Sequence, residues 1–266
     1  MKTIDWIHTG KLLASAALVT LAVPAFAAST WNFSTCNGTA SNQNATNSGN
    51  YGNSWSCSGT NGTNKVTASA WGGADVTGST GFQAAYLSPQ GGTGFGLATQ
   101  YEGLGVSQPN HAVDNSPTNK TPDLVLLKFD TAVALGTVNI GWVGTGTTPD
   151  ADFTLMAYKG ATPTIQGKDA TNLATGWALV ENSSGSGTGD RAVNAGNVVS
   201  SWWLISAYSS SYGGGTLDTV SDYFKLLAVA SKDITTSGKI PEPGSLALLG
   251  LGLLGLVSAR RKARVV

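Results

Sequence analysis

Few residues in this chain are suited to acid–base or ligand chemistry, and they lie far apart. Of two histidines, His8 falls in an N-terminal segment read below as cleaved, which leaves His111 alone. A metal centre built on several imidazoles is therefore excluded. His111 and Asp114 could act as base and orienting acid of a Ser-His-Asp triad, but no G-x-S-x-G elbow presents a nucleophile. The stretch His111-Ala112-Val113-Asp114-Asn115 reads more simply as a structured corner whose Asp and Asn side chains bond nearby backbone amides. A ligand or calcium contact of Asp114 with Asp123 or Glu102 is the other reading: the oxygen donors suit that ion, while no recognisable calcium-loop spacing is present. Asp150 and Asp152 flank Ala151 and would point to one side of a strand, as a glycosidase pair or a calcium site would require. Against this, exposed acids commonly precede strands, and neighbours on one strand do not by themselves straddle a sugar. Trp202, Trp203 and Tyr208 offer aromatic faces to a pyranose ring, yet adjacent strand residues face opposite ways, so at least one of the tryptophans belongs to the core.

The elements that must position these residues are short strands. Residues 65–71, 82–87, 123–129, 136–143, 152–158, 177–181, 198–208 and 222–230 carry β-branched, aromatic and aliphatic residues between turn formers. Val138, Ile140 and Trp142 alternate with their neighbours, and Phe153, Leu155 and Ala157 alternate with Thr154, Met156 and Tyr158. No helical period of useful length occurs between residues 28 and 240. This pattern predicts an all-β, jelly-roll-like β-sandwich over residues 65–236. Residues 28–64 are too polar for a core of their own and are expected to drape over the sandwich, pinned by a disulfide between Cys36 and Cys57. Such a bridge would contribute roughly 3 kcal/mol to a loop of this size, and two cysteines without a nearby histidine or third cysteine cannot complete a tetrahedral metal set.

Composition narrows the function classes. Charged residues make up 11% of the 266 residues, and the formal net charge is zero. Six of the basic residues (Lys2, Lys11, Arg260, Arg261, Lys262 and Arg264) lie in the terminal segments, so residues 28–240 hold nine basic and thirteen acidic residues. A mildly acidic body carries no electrostatic footprint for nucleic acid. The glycines at 91–96 and 185–189 follow no strand-to-helix pattern, so a phosphate-binding loop is unsupported. No cofactor and no metal site is indicated, with calcium the one ion the acids could suit, and the site-poor body predicts no catalytic activity. A secreted hydrolase remains an alternative.

Both ends read as addresses. Residues 1–27 combine Lys2 and Lys11 with an apolar run from Leu12 to Val23 and then Pro24-Ala25-Phe26-Ala27, the form of a signal peptide cleaved after Ala27 at an A-x-A site set by Ala25 and Ala27. Residues 237–266 hold Pro241-Glu242-Pro243-Gly244, an apolar helix at 245–259, and a basic end formed by Arg260, Arg261, Lys262 and Arg264. The prolines impose an extended backbone that a membrane protease can accept. The seven leucines between 246 and 256 favour insertion by roughly 3.5 kcal/mol before the glycines are counted against it. Fifteen helical residues span only about 22 Å of a hydrocarbon layer of about 30 Å, so this single transmembrane helix suits a transient hold. The arginines would keep their end cytoplasmic and the body outside.

In its order of Pro-Glu-Pro, glycine-interrupted helix and arginine cluster, the tail resembles the PEP-CTERM sorting signal. That resemblance implies exosortase, a membrane transpeptidase with a cysteine nucleophile, as a partner that cleaves near Pro241 to Pro243. It also implies delivery to the cell surface or extracellular space. In the body, Gly103-Leu104-Gly105-Val106, then Asn110 to Asn115, then Asp123 to Asp130 resemble the extracellular domain of exosortase-dependent surface proteins. The expectation is a non-enzymatic surface or matrix protein of the biofilm kind, placed among extracellular polysaccharide, with a carbohydrate- or calcium-binding envelope module as the alternative; His111, Asp114, Asn115, Trp202 and Trp203 are the candidate ligand-binding residues.

Overall fold

The computed structural model describes residues 28–36, 51–75, 77, 80–103, 112–115, 121–145, 150–218 and 221–233. Among them are fourteen strands: β1 (Thr30–Asn32), β2 (Ser54–Ser58), β3 (Lys65–Gly73), β4 (Phe82–Ala84), β5 (Tyr86–Pro89), β6 (Phe95–Ala98), β7 (Val113–Asp114), β8 (Leu124–Val133), β9 (Leu135–Val143), β10 (Phe153–Tyr158), β11 (Trp177–Ser183), β12 (Gly189–Ala192), β13 (Ser200–Ala207) and β14 (Tyr223–Ser231). They form two antiparallel seven-stranded sheets. The first runs β12-β9-β14-β6-β5, with β1 and β7 also pairing to β14; the second runs β11-β10-β13-β8-β3-β2, with β4 pairing to β3.

The two sheets share one core. Val66, Ala68 and Ala70 of β3, Val125, Leu127 and Phe129 of β8, Leu155 of β10, and Trp203 and Ile205 of β13 meet Phe95, Leu97, Val138, Ile140, Leu226 and Val229 of the first sheet. Their period of two is the pleat made visible: inward side chains are apolar, and Thr67 and Ser69 on the other face of β3 are not fully buried. Aromatic pairs bridge the layers, with Trp31 edge-on to Phe129 at 4.7 Å and Trp55 tilted against Phe95 at 6.3 Å. The outer face of the second sheet is covered as well. Leu124, Leu126, Met156 and Leu204 pack there against Ile165, Leu173 and Trp177, which explains why β8 and β10 are apolar on both faces. The covering segment contains the short helix α1 (Ala170–Leu173), started by the Asp169 carboxylate accepting from Asn172 N at 2.6 Å.

Two expectations change. The described part of residues 28–64 does not merely drape: β1 adds to β14, β2 adds to β3, and Trp31, Phe33 and Trp55 are buried in the shared core. Three aromatics in a polar stretch supply apolar area that overall composition hides. The Cys36–Cys57 disulfide is formed and ties the segment after β1, in one sheet, to β2 in the other. Residues 82–87 are not one strand either. The chain crosses from the second sheet to the first at Ala85, whose amide donates to Ala70 O at 2.9 Å while its carbonyl accepts from Gly52 N at 3.0 Å.

Candidate functional site

Asp123, Asp152 and Asp222 each occupy the position immediately before a strand, β8, β10 and β14 respectively. Strands β8 and β10 both pair antiparallel with β13, so they start at the same end of the sheet. Asp114 reaches that end through β7, where it stands opposite Tyr223, the first residue of β14. The consequence is two groups of three carboxylates, Glu102 with Asp114 and Asp123, and Asp150 with Asp152 and Asp222. In each group one oxygen per residue lies within 4.8 Å of the others.

The first group is built from a turn, a short strand and a strand start. Thr99 N and Oγ1 donate to Glu102 Oε2 at 2.9 and 3.0 Å, and Glu102 N donates back to Thr99 Oγ1 at 3.2 Å. Gly103, with φ of 76°, closes this turn by donating to Thr99 O at 3.0 Å. Asp123 N donates to Asp114 O at 2.8 Å, and Ala207 N and Ser206 Oγ donate to Asp123 O at 3.1 and 2.7 Å, so the Asp123 backbone is held on three sides. Its side chain is fully buried: Oδ2 accepts from Asp114 N at 3.3 Å, and Oδ1 accepts no hydrogen bond. Burial first, then the charges of Asp114 and Glu102, pushes the Asp123 carboxyl well above the usual range. Burial also raises Glu102, opposed by its bonds to Thr99 and to Asp114.

The second group is satisfied differently. Asp222 Oδ1 accepts from Asp152 N at 2.7 Å, Asp152 Oδ1 from Gly185 N at 2.7 Å, and Asp150 Oδ1 from Ala151 N at 2.8 Å. Arg191 stands beside them, donating to Ala151 O at 2.6 Å and to Gly185 O at 2.8 Å, with its guanidinium 5.5 Å from the Phe153 ring centroid. Burial is the largest cause that lifts Asp222 to about 8 and Asp150 to about 6, and neighbouring carboxylates, Asp218 among them, add to it. Burial lowers Arg191, while Asp152, Asp150 and Asp222 hold it charged. These carboxyl oxygens sit closer together than the roughly 6.5–9.5 Å that an inverting glycosidase leaves for its water, and each carboxylate accepts from a backbone amide.

Asn115 links the two groups: its Nδ2 donates to Asp222 Oδ2 and to Tyr208 O at 2.9 Å, and its Oδ1 accepts from Asp222 N at 2.7 Å. Asn115 thus bonds partners distant in sequence rather than the nearby backbone amides of a local corner. Asp222 was not singled out from the sequence, although an Asp directly before a strand, repeated at 123, 152 and 222, is a signal that could have found it.

The aromatic candidates separate. Trp203 is fully buried in the shared core, and Tyr208 is buried with its hydroxyl donating to Gly215 O at 2.7 Å, so neither can stack on a ligand. Trp202 faces the other way, as strand alternation requires. Its Nε1 donates to Ala161 O at 2.9 Å, Lys128 Nζ lies 5.5 Å from its ring centroid, and with Trp71 it lines a groove of about 400 Å³. Trp71 is the partner that sequence reading missed. His111, the signal-cleavage residues Ala25 and Ala27, the tail residues Pro241 to Gly244 and the basic residues Arg260, Arg261, Lys262 and Arg264 lie outside the described residues. No helix among the described residues is long and apolar enough to cross a membrane.

Fold and site together define an antiparallel two-sheet β protein with an acidic end and an aromatic groove on one outer face. Its tail is more specific: residues 239–262 match the PEP-CTERM protein-sorting motif. The chain thus carries a PEP-CTERM sorting signal, which implies exosortase-dependent sorting to the cell surface and membrane association at the C-terminus. No curated protein and no solved structure matches the chain, so the likeness of the body to exosortase-dependent surface proteins gains no support from them.

Proposed function

We propose that this is an exported, exosortase-sorted surface or matrix protein whose body is a non-catalytic, jelly-roll-like sandwich. The observation that carries the proposal is the sorting motif at residues 239–262. The strand order supports the architecture. Taken along the chain, β6, β8, β9, β10, β11, β12, β13 and β14 pass between the sheets at every step but β10 to β11, and they interleave as β6-β14-β9-β12 and β8-β13-β10-β11. A fold of this kind needs no ligand to hold its core, and its N-terminal segment is fastened by a disulfide suited to an oxidising compartment. Mass spectrometry of the native C-terminus, in cells with and without exosortase, tests the proposal. The expected result is a chain ending near Pro241 to Pro243 only when the transpeptidase is present; an intact Val266 terminus in both strains overturns it.

A second reading, a carbohydrate-binding envelope module, is favoured by the groove at Trp71 and Trp202. Two indoles on one sheet face, edged by Ser69, Lys128 and Gln166, provide apolar stacking surface beside hydrogen-bonding groups, the combination a neutral polysaccharide chain requires. Binding on a glycan array that is lost in Trp202→Ala supports this reading. A flat array removes it without touching the sorting proposal.

A further inference from the structure

Asp123 sits in a fully buried place where little opposes its charge. In the second group Arg191 lies among the acids. Around Asp123 the influences are burial and the two neighbouring carboxyls, and the one that favours its ionised form is a single 3.3 Å bond from the Asp114 amide. An ionised carboxylate with an unfilled oxygen in a fully buried site is strongly disfavoured. The surroundings nonetheless keep the three acids in place. Thr99 clamps Glu102 from two donors, β7 pairs Asp114 to Tyr223, and three backbone bonds fix Asp123.

Gly72 shows where the unbonded oxygen points. A β-carbon there would lie 2.6 Å from Asp123 Oδ1 and 2.3 Å from Thr99 Cγ2, so Oδ1 is turned towards the Thr99 side chain that holds Glu102. The fully buried, unfilled oxygen therefore lies beside the residue that clamps Glu102, and glycine at position 72 leaves room for it.

From this geometry we infer that Glu102, Asp114 and Asp123 bind a divalent cation, and that calcium is the ion they take. All three donors are hard carboxylate oxygens, with no histidine or cysteine among the group, which disfavours zinc and copper. The three carboxylates come from three separate elements. Calcium accepts six to eight such ligands in flexible geometry, whereas magnesium demands a near-ideal octahedron and keeps its waters. The ion would accept the unused lone pair of Asp123 Oδ1 and offset the mutual repulsion of the three acids. It would also join the turn after β6, strand β7 and the start of β8 at one end of the sandwich. The inference is independent of the sorting signal and of the groove.

The full-length protein in detergent, stripped with chelator and titrated with calcium chloride by calorimetry and by thermal unfolding, tests it. A one-site isotherm is expected, with a midpoint raised by about 5 °C or more at a hundredfold excess over the dissociation constant. Glu102→Gln should weaken binding at least tenfold. Asp123→Asn should abolish the calcium response, yet be no less stable than the chelated wild type, because the amide keeps the carboxyl's shape and the bond from Asp114 N while removing its repulsion with Asp114 and Glu102. Asp152→Asn, in the second group, should keep full calcium affinity. The inference is overturned if millimolar calcium leaves both heat and midpoint unchanged, if Asp123→Asn and Glu102→Gln respond as the wild type does, or if magnesium stabilises as strongly as calcium.

Discussion

At Gly72, the carboxylate chemistry depends on the absence of one carbon. Its replacement by alanine would push a methyl group into Thr99 Cγ2 and Asp123 Oδ1, both within 2.6 Å. We expect Gly72→Ala to destabilise the protein by about 1–3 kcal/mol, the usual cost of overpacking a buried site, read as a lower urea midpoint at unchanged m-value. Asp222 makes a second residue-scale prediction. It faces Asp150, Asp152, Asp218 and Arg191, and burial raises its folded pKa to about 8 against an ordinary value of 3.8. Between those values the folded protein holds a proton that the unfolded chain has released, so stability from this group is complete below about pH 4 and is lost as pH rises through about 8. Urea midpoints in chelator should therefore fall from pH 5 to pH 8, and Asp222→Asn should flatten that slope. An unchanged slope in the variant would show that Asp222 is not its source.

Strand β13 places two tryptophans side by side with opposite fates. Trp203 lies in the shared core with its Nε1 donating to Ser200 O at 2.9 Å, whereas Trp202 lies over the outer face beside Lys128. Trp203→Ala should cost about 3–5 kcal/mol, and Trp202→Ala about 1 kcal/mol, measured by equilibrium unfolding. The contrast was half legible in the sequence: alternation requires that one of the pair be core, but the pleat alone does not say which face meets the other sheet. The same limit applies to Phe153, Leu155 and Ala157. Their alternation with Thr154, Met156 and Tyr158 is real, yet Met156 is as buried as they are, because the segment around α1 covers the outer face. The Asp-before-strand pattern was visible, but its meaning depends on which strands start at the same end, and that is settled by pairing with β13.

For the whole molecule, the Cys36–Cys57 bridge closes a loop with a sequence separation of 21 and joins segments that belong to different sheets. Reducing it should lower stability by about 3 kcal/mol, seen as a shift of the urea midpoint between oxidised protein and the double Cys→Ser variant. Deleting residues 241–266 should leave that folding equilibrium unchanged while altering where the protein is found; a truncated chain that still reached the surface normally would show that the tail is not a sorting signal. The sequence by itself determined the sorting motif, the disulfide partners and the β character of the body, because each rests on neighbouring residues, a forced pairing or a period of two. The grouping of Asp150 and Asp152 with Asp222, the pairing of Trp71 with Trp202 and the crossing of the chain at Ala85 were decided only by tertiary structure. Those relations join residues 70 or more positions apart, or depend on which strand edges meet, and antiparallel register carries no local signature of the partner it selects.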